Sequence, residues 1–122
     1  MIAPVLYLMG VEHGANVGYD EAMHDVQDRT LTAVVENIVD CESGGDHSQK
    51  NPSGAFGVAQ FKKRTFNWMK GLAGRPELQW TSEDDQLWLL SWALRNGYGG
   101  HWVCYDQAVK SLAKGMMEEL QS

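Results

Sequence analysis

The residue in this chain best suited to chemistry is Glu42. Its helical neighbours at i−3, i−4 and i−7 are Val39, Ile38 and Val35, so the carboxylate lies on an apolar stripe rather than opposite it. A carboxyl group placed there loses hydration, which disfavours its charged form and raises its pKa. That is the environment of a general acid, which must still hold its proton near neutral pH. Gly44 and Gly45 follow at once and open space for a ligand. The competing reading is an exposed helix-end glutamate in a slightly shifted register. A second carboxylate would be needed for ordinary glycoside hydrolysis, about 5–5.5 Å away in retaining and about 6.5–9.5 Å in inverting enzymes. Candidates are few. Asp84 and Asp85 suit a helix start, Asp40 faces solvent, and Asp46 lies beyond the two glycines, so its direction is open.

Two cysteines, Cys41 and Cys104, imply one disulfide in an oxidising compartment or two buried thiols in a reducing one; their spacing does not decide. With His47 and His101 they also make a possible tetrahedral zinc set, although the Cys41–His47 pair straddles a helix end, unlike a compact zinc knuckle. A nucleophilic triad has little support, since no His–Asp pair can be placed beside Ser43.

The elements that must position these groups are read from periodicity. Leu31, Val34, Val35, Ile38 and Val39 make the stripe of an amphipathic helix from about Thr30, which can cap it, to Ser43. Before it, periodicity is weak, with turn signals at Gly10, Gly14 and Gly18 and a short helix from Asp20 that would turn Met23 and Val26 inward. After it comes a polar loop with a turn at Asn51-Pro52-Ser53-Gly54, then short irregular strands in the glycine-interrupted segment 54–61. A helix near Lys63 to Gly71 buries Phe66 and Met69. Another opens at Ser82, with Asp85 in the capping-box position, and ends at Gly97. On it Leu87, Leu90 and Leu94 form one stripe and Trp88 and Trp92 another, both read as core. A last helix, capped by Asp106, carries Val109, Leu112, Ala113, Met116 and Leu120. The fold class expected is mostly α (α+β), with a short irregular β element.

Size and charge narrow the function classes. With 122 residues, 43% hydrophobic and 21% charged, the chain can bury one moderate core. No apolar run is long enough to span a bilayer. The net charge of −6 gives no counterion-release energy on a phosphate backbone, so nucleic acid is not an expected partner. The acid is uneven: residues 1–46 hold nine carboxylates against Arg29 alone, whereas Lys62, Lys63, Arg64 and Lys70 cluster later. That cluster reads as a solvated helix start, or else as a local contact for acidic groups of a substrate. The apolar start, residues 1–10, lacks the basic residues of a secretory signal, so either a leader has been removed or export takes another route.

Cys41-Glu42-Ser43-Gly44-Gly45 followed by Gly54-Ala55-Phe56-Gly57-Val58-Ala59-Gln60-Phe61 resembles the catalytic core of the resuscitation-promoting factors. The same Glu-Ser-Gly and Gly-Ala-x-Gly-x-x-Gln elements are similar to those of soluble lytic transglycosylases; both groups are lysozyme-like. His101-Trp102-Val103-Cys104 resembles the Trp-x-x-Cys that closes the factor domain. The similarity covers about residues 31–104. It implies a lysozyme-like domain over 30–105, with 1–29 as an N-terminal extension and 106–122 as a helix packed on it. It further implies Glu42 as catalytic acid, a Cys41–Cys104 disulfide, and a glycan groove served by Ser43, Gly57, Gln60 and, more loosely, Tyr98; Trp102, in a glycine-rich turn, is expected to pack over that bond. Asp46-His47 departs from the aromatic residue that often follows the glycine pair in the factors.

The activity implied is cleavage of β-1,4 bonds of bacterial cell-wall peptidoglycan without cofactor or metal, by a monomer outside the cytoplasm. In the transglycosylase mechanism one glutamate suffices, because the sugar's own C6 hydroxyl attacks and leaves a 1,6-anhydro end. The alternatives are a hydrolytic muramidase with a second carboxylate, and a non-catalytic wall-binding or virion protein; chitin oligomers are the alternative substrate.

Overall fold

The structure, a computed structural model, describes residues 15–121, with side chains from residue 27 onward. Four α-helices and a two-stranded antiparallel sheet make up the described residues: α1 (Ala15–Ser43), β1 (Ala55–Phe56), β2 (Phe61–Lys62), α2 (Lys63–Leu72), α3 (Glu83–Arg95), a 3₁₀ turn (Gly99–His101) and α4 (Tyr105–Gln121). The fold is therefore mostly α with a small β element, as the periodicity predicts. No helix among the described residues is long and apolar enough to cross a membrane.

The chain separates into two compact units, Met1–Thr30 and Leu31–Ser122. In the first, the described backbone is helical from Ala15. The expected turns at Gly10 and Gly14 lie outside the described residues, as do the side chains of Met23 and Val26. Two expectations are corrected here. Gly18 is not a turn, and Thr30 does not cap a helix, because α1 runs without a break from Ala15 and absorbs the short helix expected from Asp20. One interior glycine costs a helix only about 1 kcal/mol, which the run of helix-compatible residues around it offsets.

The second unit holds the core. Val34 and Ile38 of α1 meet Val58, Ala59 and Phe61 of the β segment, Phe66 and Met69 of α2, Leu78, and Leu89, Leu90 and Ala93 of α3. Trp102 and Ala108 close it. α3 starts as expected, with the Ser82 hydroxyl accepting the Asp85 N–H at 3.2 Å and three acids in the first turn. Its buried face differs from the expected one. Gln86, Leu89, Leu90 and Ala93 point inward, Leu87, Trp92 and Leu94 are half-buried, and Trp88 is exposed beneath the guanidinium of Arg75 at 4.4 Å. A buried glutamine rotates the stripe, as described below.

α4 also departs from expectation. It begins at Tyr105, so Asp106 lies in the first turn rather than at the cap. Ala108 is buried and Leu112 half-buried, whereas Val109, Ala113, Met116 and Leu120 are exposed. Among the described residues the core cluster includes none of this helix beyond Leu112.

Candidate active site

The site is built where α1 stops. Ser43 is its last residue, and Gly44 and Gly45 follow with φ of +66° and +82°, a left-handed backbone that side-chain-bearing residues rarely adopt. The Ser43 hydroxyl lies 2.7 Å from the Val58 carbonyl and 3.1 Å from that of Val39, and accepts the Gly45 N–H at 3.2 Å. It thus ties the helix end to the β segment. Ser43 does not line the cleft.

Glu42 projects from this helix end, half-buried, into an open cleft of about 400 Å³. Burial raises its pKa above the ordinary 4.5, opposed by a hydrogen bond from the Cys104 N–H to Oε2. At 3.4 Å that bond is long and weak, so desolvation prevails. Around the cleft stand Asn51 and Ser53 from the turn, Ala55, Gln60, Phe61 and Lys62 from the β segment, Thr65 from α2, His101 from the 3₁₀ turn, and Trp102 and Val103 just after it. Glu42 is the sole carboxylate among these lining residues.

The four acids weighed as a second carboxylate lie outside the cleft lining. Asp46 is exposed, and its carboxylate accepts the Ser48 hydroxyl at 2.6 Å and the Ser48 N–H at 2.9 Å, which hold its pKa below the usual value. Asp85 accepts the Gln79 N–H at 2.8 Å, at the start of α3. Asp40 and Asp84 are exposed.

The β segment owes its shape to a residue that sequence reasoning passed over. Gln86 of α3 is fully buried; its Oε1 accepts the Ala59 N–H at 3.1 Å, and its Nε2 donates to the carbonyls of Phe56 at 3.0 Å and Trp80 at 2.8 Å. Gly57, expected to line the groove, is instead buried against this amide. A Cβ on it would fall 2.5 Å from Gln86 Nε2, and its φ is +90°. The signal for Gln86 was a polar residue at i−3 and i−4 from Leu89 and Leu90, the positions of a core face.

Gln60 does line the cleft. It is the one non-glycine residue with positive φ (+52°) among the described residues. Its side-chain amide donates to the carbonyls of Gly57 at 2.9 Å and Gln49 at 3.0 Å, which hold that conformation. Asn51 organises the facing turn, its Oδ1 accepting from the Ser53 N–H at 2.8 Å, the Ser53 hydroxyl and the Ala55 N–H at 3.3 Å. Trp102 donates from Nε1 to the Ala59 carbonyl at 2.8 Å and packs edge-on against Phe61. Tyr98 stacks on Trp92 and does not line the cleft.

Cys41 and Cys104 are joined by a disulfide, with Cα atoms 6.0 Å apart. The bridge flanks Glu42 directly: Cys41 precedes it in the chain, and Cys104 donates the N–H that reaches it. The four-residue zinc alternative fails on the same observation, because both sulfurs are bonded to each other. His47 is engaged as well. Its Nδ1 accepts the Val58 N–H at 3.0 Å, so Nε2 carries the hydrogen and donates to the Thr81 carbonyl at 2.9 Å. Its ring meets Phe56 edge-on at 5.1 Å.

A second cavity of about 480 Å³ adjoins the first across Asn51 and Ala55, and is walled by Phe56 and Trp80. No protein-family model, curated protein or solved structure matches the chain.

Proposed function

We propose that this chain cleaves the β-1,4 glycosidic bonds of cell-wall peptidoglycan as a lytic transglycosylase, with Glu42 as its single acid and base. The observation that carries the reading is a half-buried carboxylate of raised pKa in an open cleft lined by no other carboxylate among the described residues. The resemblance of the Glu42–Gly45, Gly54–Phe61 and His101–Cys104 segments to resuscitation-promoting factors and soluble lytic transglycosylases supplies the substrate class.

Protonated Glu42 donates its hydrogen to the oxygen bridging two sugars, and the bond from that oxygen to the anomeric carbon breaks. The carboxylate so formed lies beside the positive charge developing on the sugar ring and stabilises it. It then takes the proton of the C6 hydroxyl on the same sugar while that oxygen bonds to the anomeric carbon. The product is a 1,6-anhydro ring, no water is consumed, and Glu42 is again protonated. Burial favours the first step by keeping the proton on Glu42. Its residual contact with solvent and the Cys104 N–H support the ionised form in the second.

A water-adding muramidase would draw on a second carboxylate within about 9.5 Å of the first across the scissile bond. Asp46, the next acid after Glu42 in the chain, is turned into its own loop by Ser48. Mass analysis of digested muropeptides tests the reading. Anhydro-ended fragments are expected; fragments one water heavier, with reducing ends, would assign the muramidase reaction instead.

A further inference from the structure

We propose that Lys62 reads the acidic groups of the glycan, so that the cleft selects carboxylate-bearing strands over neutral ones. This rests on the reading of the Glu42 cleft as a glycan site and names the feature of the glycan that it recognises. The chain carries a net charge of −6, so a polyanion approaching it is repelled overall. Attraction must therefore be local, within about 8–10 Å of a cation at physiological salt.

The four clustered basic residues divide by what they touch. Lys63 places its ammonium 5.9 Å from the centre of the Trp80 ring, and Lys70 donates to the Leu78 carbonyl at 2.9 Å. Arg64 is exposed on the first turn of α2, away from the cleft lining. Lys62 alone of the four lines the cleft. Its backbone is fixed from both sides, opposite Ala55 in the β ladder and in the extended conformation from which α2 starts. Strand alternation turns Phe61 into the core and Lys62 out of it. Lys62 forms no ion pair among the described residues.

Its neighbours in the lining include Asn51, Ser53 and Thr65, which bear no charge. Lys62 thus stands on a fixed backbone at the cleft, exposed and in no ion pair among the described residues, in a cleft that also holds Glu42. Chitin oligomers offer it hydroxyls and neutral amides. Peptidoglycan strands offer the free carboxylates of the peptides joined to their lactyl groups, and hence a charge-assisted hydrogen bond.

The experiment compares soluble peptidoglycan fragments with free carboxylates and the same fragments after carboxyl amidation. Cleavage is measured for the wild type, Lys62→Gln and Lys62→Arg, and Kd is measured for the same three in a Glu42→Gln background, where binding is read without turnover. A preference of about fivefold for the free-acid fragments is expected in KM and Kd for the wild-type lysine. It should fall to about one in Lys62→Gln and persist in Lys62→Arg. A preference that survives Lys62→Gln, or that the wild type never shows, overturns the proposal. Binding that follows Lys62 in a protein that cleaves neither fragment upholds it and removes the catalytic reading instead. If neither fragment binds, both fall.

Discussion

Two carboxylates four residues apart show how position sets protonation. Glu42 is desolvated and its pKa rises; exposed Asp46 is hydrogen-bonded by Ser48 and its pKa falls. Asp46 is therefore ionised across the neutral range and cannot serve as the acid. Asp46→Asn should leave cleavage rates within about twofold of wild type, measured on purified cell walls, because surface changes of this kind usually alter little. For Glu42 the folded pKa exceeds the unfolded one, so the native state binds this proton more tightly. The cost of desolvating its charge is absent below pH 4.5 and fully present above the raised folded value. Glu42→Gln should accordingly unfold at higher temperature than wild type at pH 7, and the gap should close on acidification; a variant less stable at pH 7 would contradict this. In the wild type, activity should fall along an alkaline limb whose apparent pKa lies above 4.5. The apolar neighbours at i−3, i−4 and i−7 made the setting of Glu42 legible in the sequence. The direction of Asp46 was not, because two left-handed glycines separate it from the helix.

At the scale of elements, the β segment is held from outside more than by its own two-residue strands. Gln86, His47 and Ser43 each fasten its backbone to another part of the fold. Replacing Gln86 with Leu would leave the Ala59 N–H and the Phe56 and Trp80 carbonyls without these partners, at a cost of about 1–3 kcal/mol or more in urea unfolding. Gly57→Ala should destabilise comparably, since its Cβ meets the same amide and its φ is +90°. If both variants unfold with the wild type, the β segment is not organised from α3. The sequence located the helices and the glycine-rich strands because hydrophobic period and turn residues are local signals. Trp92 does pack on the core, but Trp88 lies outside it and Gln86 inside, because three long-range backbone partners outweigh the polarity of the glutamine. The ring of Tyr98, just after Gly97, stacks on Trp92, a contact that spacing does not encode.

For the whole molecule, the Cys41–Cys104 bridge spans 63 residues and encloses every cleft-lining side chain. Closing a loop of that length stabilises by about 4 kcal/mol in the chain-entropy model, a large share of the roughly 5–15 kcal/mol typical of a domain. The paired Cys41→Ser, Cys104→Ser variant should melt well below wild type and lose activity more steeply on warming. A shared melting curve would show that the bridge does not stabilise the fold. The two cysteines alone left disulfide and thiols open; only the resemblance implied the bond, which the structure contains. The exposure of the distal half of α4 was hidden from the sequence, since an apolar stripe does not say how far its partner extends.

The most direct measurement sets wild type and Glu42→Gln side by side in a turbidity assay on purified cell walls, with circular dichroism confirming that both are folded. Clearing is expected with the wild type and none above background with the variant. Substantial clearing by a folded Glu42→Gln would contradict the role of Glu42 as the acid, because no other lining residue can supply the carboxylic proton.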